Sequence, residues 1–270
     1  MNDLRVSSPP IITLTTDFGP GSSYVGQMKG VIYSIHPEVT LVDAAHDIRA
    51  QDIVQGSFAW NQVSQHFPTG TIHLAVVDPG VGTDRRLLLI ETEFHYLIAP
   101  DNGLLSHVLA RQEPRKILTL DRPEYWRHPV SATFHGRDIM APVAAHLSRG
   151  ELPEQLGTPT HEPRILDLPA VLAETGSLSG EVIHIDGFGN LITNIRRADW
   201  NAAGVPDNCH ATCCGQRAIG LQHTYGNTNP GTATILFGSS DYLEFSLTNE
   251  NAAQKLAAGV TTPILLEWSS

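Results

Sequence analysis

The sequence predicts an α/β domain followed by a small all-β domain, and three observations carry that expectation. Over roughly the first 150 residues, short apolar runs alternate with stretches whose apolar residues recur every three or four positions. Pro153, Pro159, Pro163 and Pro169 then interrupt any regular pattern. From Gly180 onward the chain reads as short strands separated by Gly, Asn and Asp turns. The expected organisation is an α/β domain over 1–165, a mostly parallel sheet flanked by helices. A linker over 166–178 and a barrel-like domain over 179–270 follow.

The elements follow in order. Residues 11–15 read as a strand that ends in the polar turn Thr16-Asp17-Phe18-Gly19. Ser22 or Ser23 is placed to cap a helix whose apolar face is Val25, Met28, Val31, Ile32 and Ile35. Residues 39–42 form the next strand, and Ile53, Gly56, Trp60, Val63 and Phe67 form a second helical stripe. Residues 72–77, 87–90 and 96–98 complete the predicted strands of the first domain. In the second, strands are expected at 181–185, 191–195, 218–223, 232–237, 242–247 and 264–268, with a short helix at 251–258.

Composition narrows the function. Hydrophobic residues make up 41% and charged residues 17%, a profile that buries a core rather than one that stays disordered. A net charge of −11 argues against a nucleic-acid binder, which needs a basic surface. No run approaches the roughly 18 apolar residues that span a bilayer, and residues 1–10 lack the apolar core of a secretory signal. No membrane association and a cytoplasmic location are therefore expected. Cys209, Cys213 and Cys214 lack the paired spacing of a zinc site and are odd in number. Neither a metal nor a cofactor is expected.

Ligands of parallel sheets bind beyond the carboxyl ends of the strands. Asp17, Asp78 and Asp101 each stand at such an end, each followed at once by turn residues. An ordinary turn explains any one of them; three at equivalent places suggest a shared acidic cleft. Arg85, seven residues after Asp78, can return to that carboxylate. A catalytic pair and a loop-closing ion pair are equally open there. In Thr133-Phe134-His135-Gly136-Arg137-Asp138, Asp138 is placed to cap the next helix and His135 to lie in the preceding loop, free to handle a proton. His46 and His95 have no such support and read as surface or core histidines. Asp186-Gly187-Phe188-Gly189-Asn190 joins two strands, either as an incidental turn or as a pocket for a planar ring.

The combination of motifs is more specific than any one of them. T-D-F-G at 16–19, Y-V-G-Q-M-K-G at 24–30, V-D-P-G-V-G at 77–82, A-P-D-N-G-L-L at 99–105, T-F-H-G-R-D at 133–138 and I-D-G-F-G-N-L-I-T-N at 185–194 occur in order. Together they resemble the S-adenosylmethionine hydroxide adenosyltransferase family. Its members hydrolyse S-adenosylmethionine to adenosine and L-methionine and are related to fluorinases and chlorinases.

The resemblance implies a homotrimer whose sites lie between the first domain of one subunit and the second domain of its neighbour. It implies water or hydroxide attacking the ribose 5′ carbon. The family's Asp-Arg-His trio matches Asp78, Arg85 and His135. Asp17 matches the residue that holds the ribose diol, Asp186 the one that meets the methionine ammonium, and Phe188 and Asn190 the adenine pocket. Ala252 matches a backbone contact to adenine, and Ser239 a contact to the methionine carboxylate. Ser22 departs from an aspartate common in relatives, and Ser240 from an arginine of the halogenases.

Three alternatives have distinct marks. Halogenases carry a tyrosine at the position of Asp78, where a carboxylate would repel a halide. A nucleoside-binding module has no need of the complete trio. A magnesium-dependent phosphatase would need its aspartates clustered around a cation.

Overall fold

The computed structural model describes residues 9–269. Most of the 1–10 segment read for a secretory signal lies outside the described residues. The chain divides into two compact units, at Leu166 and Asp167.

The first unit is built on a seven-stranded sheet of order β2-β1-β3-β5-β4-β6-β7. These strands are β1 (Ile11–Thr16), β2 (Thr40–Ala45), β3 (Ile72–Val76), β4 (Leu87–Glu91), β5 (Tyr96–Pro100), β6 (Lys116–Thr119) and β7 (Thr158–Pro159). β2, β1, β3 and β5 are parallel, whereas β4, β6 and β7 pair antiparallel. The sheet is therefore mixed, and its parallel half is the half whose strand ends carry the three aspartates. β3 is buried along its whole length and β1 at five of its six residues, as strands covered on both faces must be.

Helices α1 (Ser23–Ile35), α2 (Ile53–Ser64), α3 (Ser106–Leu109), α4 (Ala141–Arg149) and α5 (Pro153–Leu156) flank the sheet. Ser22 caps α1 by accepting from the Tyr24 N–H, and Val25, Met28 and Ile32 are its buried stripe. Asp52 caps α2 by accepting from Gln55. α2 ends before Phe67, which instead sets its ring edge-on to His73, 5.6 Å between centroids. The apolar packing falls into two clusters, one including Leu14, Met28 and Leu74 and one including Trp60, Leu88 and Leu97.

The second unit holds β8 (Leu172–Glu174), β9 (Ser177–Ile185), β10 (Leu191–Arg196), β11 (His210–Cys213), β12 (Gln216–Ile219), β13 (Ala233–Phe237), β14 (Tyr242–Leu247) and β15 (Pro263–Glu267), with α6 (Arg197–Ala203) and α7 (Ala252–Leu256). The path runs β12-β11-β15-β9-β10-β14-β13, and a bridge from Leu221 to Ile235 brings its two ends together. The result is an antiparallel sheet curled nearly into a barrel. β9 makes this possible by pairing with β15 through its first half and with β10 through its second. β8 falls inside the span expected to be linker. Its side chains are exposed, so no apolar run announces it. No helix among the described residues is long and apolar enough to cross a membrane.

Candidate active site

Asp78 follows β3, and the loop after it folds back on itself. Val81 donates to the Asp78 carbonyl (3.2 Å) and Thr83 to that of Gly80 (3.1 Å), giving two successive tight turns. Gly82 adopts φ +82°, and a Cβ there would collide with the Ala132 carbonyl oxygen, so only glycine fits. The turns return Arg85 to Asp78 as the spacing allowed. Arg85 Nε donates to Oδ1 (2.6 Å) and Nη2 to Oδ2, a paired contact with both side chains nearly buried.

His135 joins this pair. Its Nδ1 lies 3.2 Å from both Nη1 and Nη2 of Arg85. It does not sit in a loop; it opens a π-helical turn, Gly136–Met140, that runs into α4. Such turns insert one extra residue and re-aim the side chains around them. Asp138 is not a helix cap either. It lies within that turn, fully buried, and accepts from Ser131 N (2.9 Å), Arg127 Nη1 (3.0 Å), and Arg137 Nε (2.7 Å) and Nη2 (2.8 Å). Burial rewards a carboxylate that satisfies several donors more than one that satisfies a single helix N–H. The carboxylate thereby ties the segment from Arg127 to Ser131 to the π-helical turn that His135 opens.

The charge environment fixes the state of the ring. Burial pushes the His135 pKa below the usual histidine value, and the Arg85 charge pushes the same way. Asp78 and Asp138 pull it back only in part. A guanidinium has hydrogens to give and no lone pair to offer, so Nδ1 must accept. The neutral ring then carries its proton on Nε2.

Asp17, Phe18, Tyr24, Asp78, Phe134 and His135 share the lining of one cleft of about 390 Å³. Phe18, Tyr24 and Phe134 pack mutually with centroids 5.3–5.7 Å apart, forming an apolar wall beside the polar trio. Asp17 Oδ2 accepts from Gln51 N (2.7 Å). Asp101 does not join a shared acidic cleft. Arg86 draws it aside through Nε (2.8 Å) and Nη2 (2.6 Å), and its Oδ1 accepts from Arg164 N (2.7 Å). Asn102, its neighbour, donates to the Val77 carbonyl (2.8 Å) and so braces the residue before Asp78.

His46 bridges Thr16 (2.9 Å) and Asp43 (2.9 Å), and His95 is a core histidine, edge-on to His73. Cys209 and Cys213 are buried and Cys214 is exposed. Among the described residues no group of three or more His, Cys, Asp or Glu side chains is arranged to hold a metal ion.

In the second unit the turn after β9 is organised by Asp186. Its Oδ1 accepts from Phe188 N (2.9 Å) and Asn190 N (2.8 Å), and its Oδ2 from Asn190 Nδ2 (2.8 Å). Phe188 is thereby held 82% exposed, an uncommon state for a phenylalanine ring and one suited to stacking. Ala253 N donates to the Gly189 carbonyl (3.0 Å), which sets Ala252, at the start of α7, beside the same turn. Ser239 is exposed in the β13–β14 turn with Ser240 next to it. The predicted residues thus divide into Asp17, Asp78, Arg85 and His135 in one unit and Asp186, Phe188, Asn190, Ser239 and Ala252 in the other.

Phe18 and Tyr24 were not singled out from the sequence, although both stand within the first two motifs. Aromatic residues next to a strand-end aspartate are a usable signal for a pocket wall.

The chain matches two family models: the SAM hydroxide adenosyltransferase N-terminal domain over residues 12–157 and the corresponding C-terminal domain over 180–265. It is 34% identical over 259 residues to a Thermus thermophilus protein named (R)-S-adenosyl-L-methionine hydrolase, covering 93% of this chain and 97% of that one. It is 30% identical over 224 residues to a fluorinase of Nocardia brasiliensis, covering 73% and 74%. A crystal structure described as an uncharacterized conserved protein from Thermotoga maritima superposes with a TM-score of 0.89 at 31% identity, covering 96% of this chain and 100% of the other.

Proposed function

Since the chain belongs to the S-adenosylmethionine hydroxide adenosyltransferase family, we propose that it hydrolyses S-adenosylmethionine to adenosine and L-methionine. Water attacks the ribose 5′ carbon, a C–O bond forms as the C–S bond breaks, and the bonding pair leaves with sulfur as a neutral thioether. The sulfonium is already an excellent leaving group and needs no acid. What it needs opposite is a water held in line and relieved of a proton.

The observation that carries this reading is that Asp78 and His135, both in the lining of the cleft, are joined by Arg85. Arg85 orients the Asp78 carboxylate by its paired hydrogen bonds. His135, with its proton on Nε2, donates to the water and holds its oxygen. The proton lost by the water therefore goes to Asp78 rather than to His135. Oxygens that already accept from Arg85 retain lone pairs for this. A carboxylate at this position favours water over a halide, which it would repel, so hydrolysis is preferred to halogenation.

Asp17 is proposed to hold the ribose diol, Phe188, Asn190 and Ala252 the adenine, and Asp186 and Ser239 the amino and carboxylate groups of the methionine end. The family resemblance supports a homotrimer in which each site draws on two subunits.

Purified protein incubated with S-adenosylmethionine, without added halide, should release adenosine and methionine. In ¹⁸O-labelled water the label should enter the adenosine 5′-hydroxyl. A 5′-halo product in place of adenosine, or unlabelled adenosine, would overturn the reading.

A further inference from the structure

One buried acid in the second unit is not explained by the trio or by the residues so far assigned to the substrate. Glu244 lies on the face of β14 turned away from the barrel core. Phe245 and Leu191, both in the core cluster, pair with each other, while Glu244 pairs with Ile192. A carboxylate on an outer face ordinarily meets water, yet Glu244 is only 6% exposed. Its cover is specific. The Tyr225 hydroxyl donates to Oε2, and the other oxygen presses on Gly238, where no Cβ can be accommodated. Gly238 begins the turn that displays Ser239, closed by Asp241 N to the Gly238 carbonyl (3.0 Å) and Gly238 N to that of Tyr242 (3.1 Å).

The register also relates Glu244 to Asp186. Ile192 pairs with Glu244 on one side and with His184 on the other. Asp186 follows His184 by two residues, the period that returns a side chain to the same face. Burial raises the Glu244 pKa, the Tyr225 hydrogen bond lowers it, and the charge of Asp186 raises it again. Glu244 thus stands behind both residues assigned to the methionine end, Asp186 and Ser239.

Burying a carboxylate is unfavourable without compensation, and a neutral amide would satisfy Tyr225 equally well. Burial and the charge of Asp186 favour the protonated carboxyl, so a cation held beside Asp186 is what would bring out the charge of Glu244. Asp186 alone is a diluted partner for an ammonium, because three N–H groups of its own turn already draw on its two oxygens. We propose that Glu244 is a positioning residue for the amino-acid end of the substrate: it sets the Gly238–Ser239 turn and adds a second negative charge behind Asp186. This rests on the hydrolase reading above.

The test is Glu244→Gln, which keeps shape and removes charge, assayed for both kinetic constants and, by calorimetry, for adenosine affinity. The KM for S-adenosylmethionine should rise about tenfold, the loss of roughly one charge-assisted contact. The kcat should stay within about twofold, and the Kd for adenosine, which lacks the amino-acid end, should not change. A purely structural role would weaken adenosine binding in step with KM, and an idle residue would move neither; each result overturns the proposal. Tyr225→Phe keeps the charge and loosens its support, so a smaller rise in KM with unchanged adenosine binding is expected even where the glutamine variant fails to fold. Wild-type protein that made no adenosine would sink the hydrolase reading instead.

Discussion

Asp78 meets Arg85 through both carboxylate oxygens, and this pairing explains why orientation as well as charge matters at that position. Asp78→Asn keeps the size but brings a hydrogen-bearing nitrogen against a guanidinium that can only donate. Stopped-time product assays should show kcat lower by about 10²–10⁴, the usual worth of a positioned proton acceptor. Adenosine affinity should be nearly unchanged; a variant retaining most of its activity would remove Asp78 from the mechanism. The pH profile tests His135 in turn. Its pKa is lowered by burial and then by Arg85, so the neutral, water-holding ring exists above that lowered pKa and is lost as pH falls through it. Its acid limb in kcat should lie below the ordinary histidine value of about 6.5. A His135→Gln variant should lack that limb while keeping a lower plateau, and a limb unchanged in the variant would assign it to another group.

At the scale of elements, β3 carries two separate features. Its carboxyl end presents Asp78, and near its amino end it buries His73, whose Nδ1 pairs with Thr13 of β1 (2.8 Å) while Nε2 has no partner. His95, also buried, leaves Nδ1 unpartnered. Burial lowers the pKa of His73 to about 3, with the charge of His95 adding to the effect, and burial lowers that of His95 to about 4. Both groups are neutral in the fold and bind protons more readily when unfolded. Their contribution is therefore complete above about pH 6.5 and falls as pH drops from there toward 4, by about 1.4 kcal/mol per pH unit for each histidine. Denaturant unfolding at pH 7, 6 and 5 should show this slope, and His95→Gln should make it shallower. An identical slope in the variant would place the acid sensitivity elsewhere.

The same scale shows why some local readings changed. Asp138 has the identity and spacing of a helix cap, but Arg127 and the Ser131 N–H reach it from 11 and 7 residues back and join its neighbour Arg137. Asp101 has the same strand-end setting as Asp78. Arg86 and the main chain of Arg164 claim it, and the second of these lies 63 residues away. Neither contact leaves a mark in local sequence. Strand ends, turn residues and the α1 stripe were legible because they follow from the periodicity and turn chemistry of a few adjacent residues.

For the whole molecule, the proposed ligand groups are divided between two units, Asp78 in one and Asn190 in the other. The homotrimer proposed from the family would have each site drawn from two subunits. Mixing Asp78→Asn and Asn190→Ala subunits, each inactive alone, should then restore activity after subunit exchange, because some mixed sites receive neither change. Sedimentation should give three times the 29.3 kDa chain mass. A monomer, or mixtures that stay inactive after verified exchange, would refute the shared site.

By itself the sequence determined the two-domain α/β and all-β architecture, the strand ends that carry aspartates, and the six ordered motifs that point to the family. These are properties of neighbouring residues and of their order. Tertiary structure alone decided which aspartate keeps the cleft, that Arg85 faces both Asp78 and His135, that Nδ1 of that histidine must accept, and that Glu244 is buried on an outer face. These depend on side chains brought together from separate parts of the fold, where burial and competition for donors choose one partner among many that sequence alone permits.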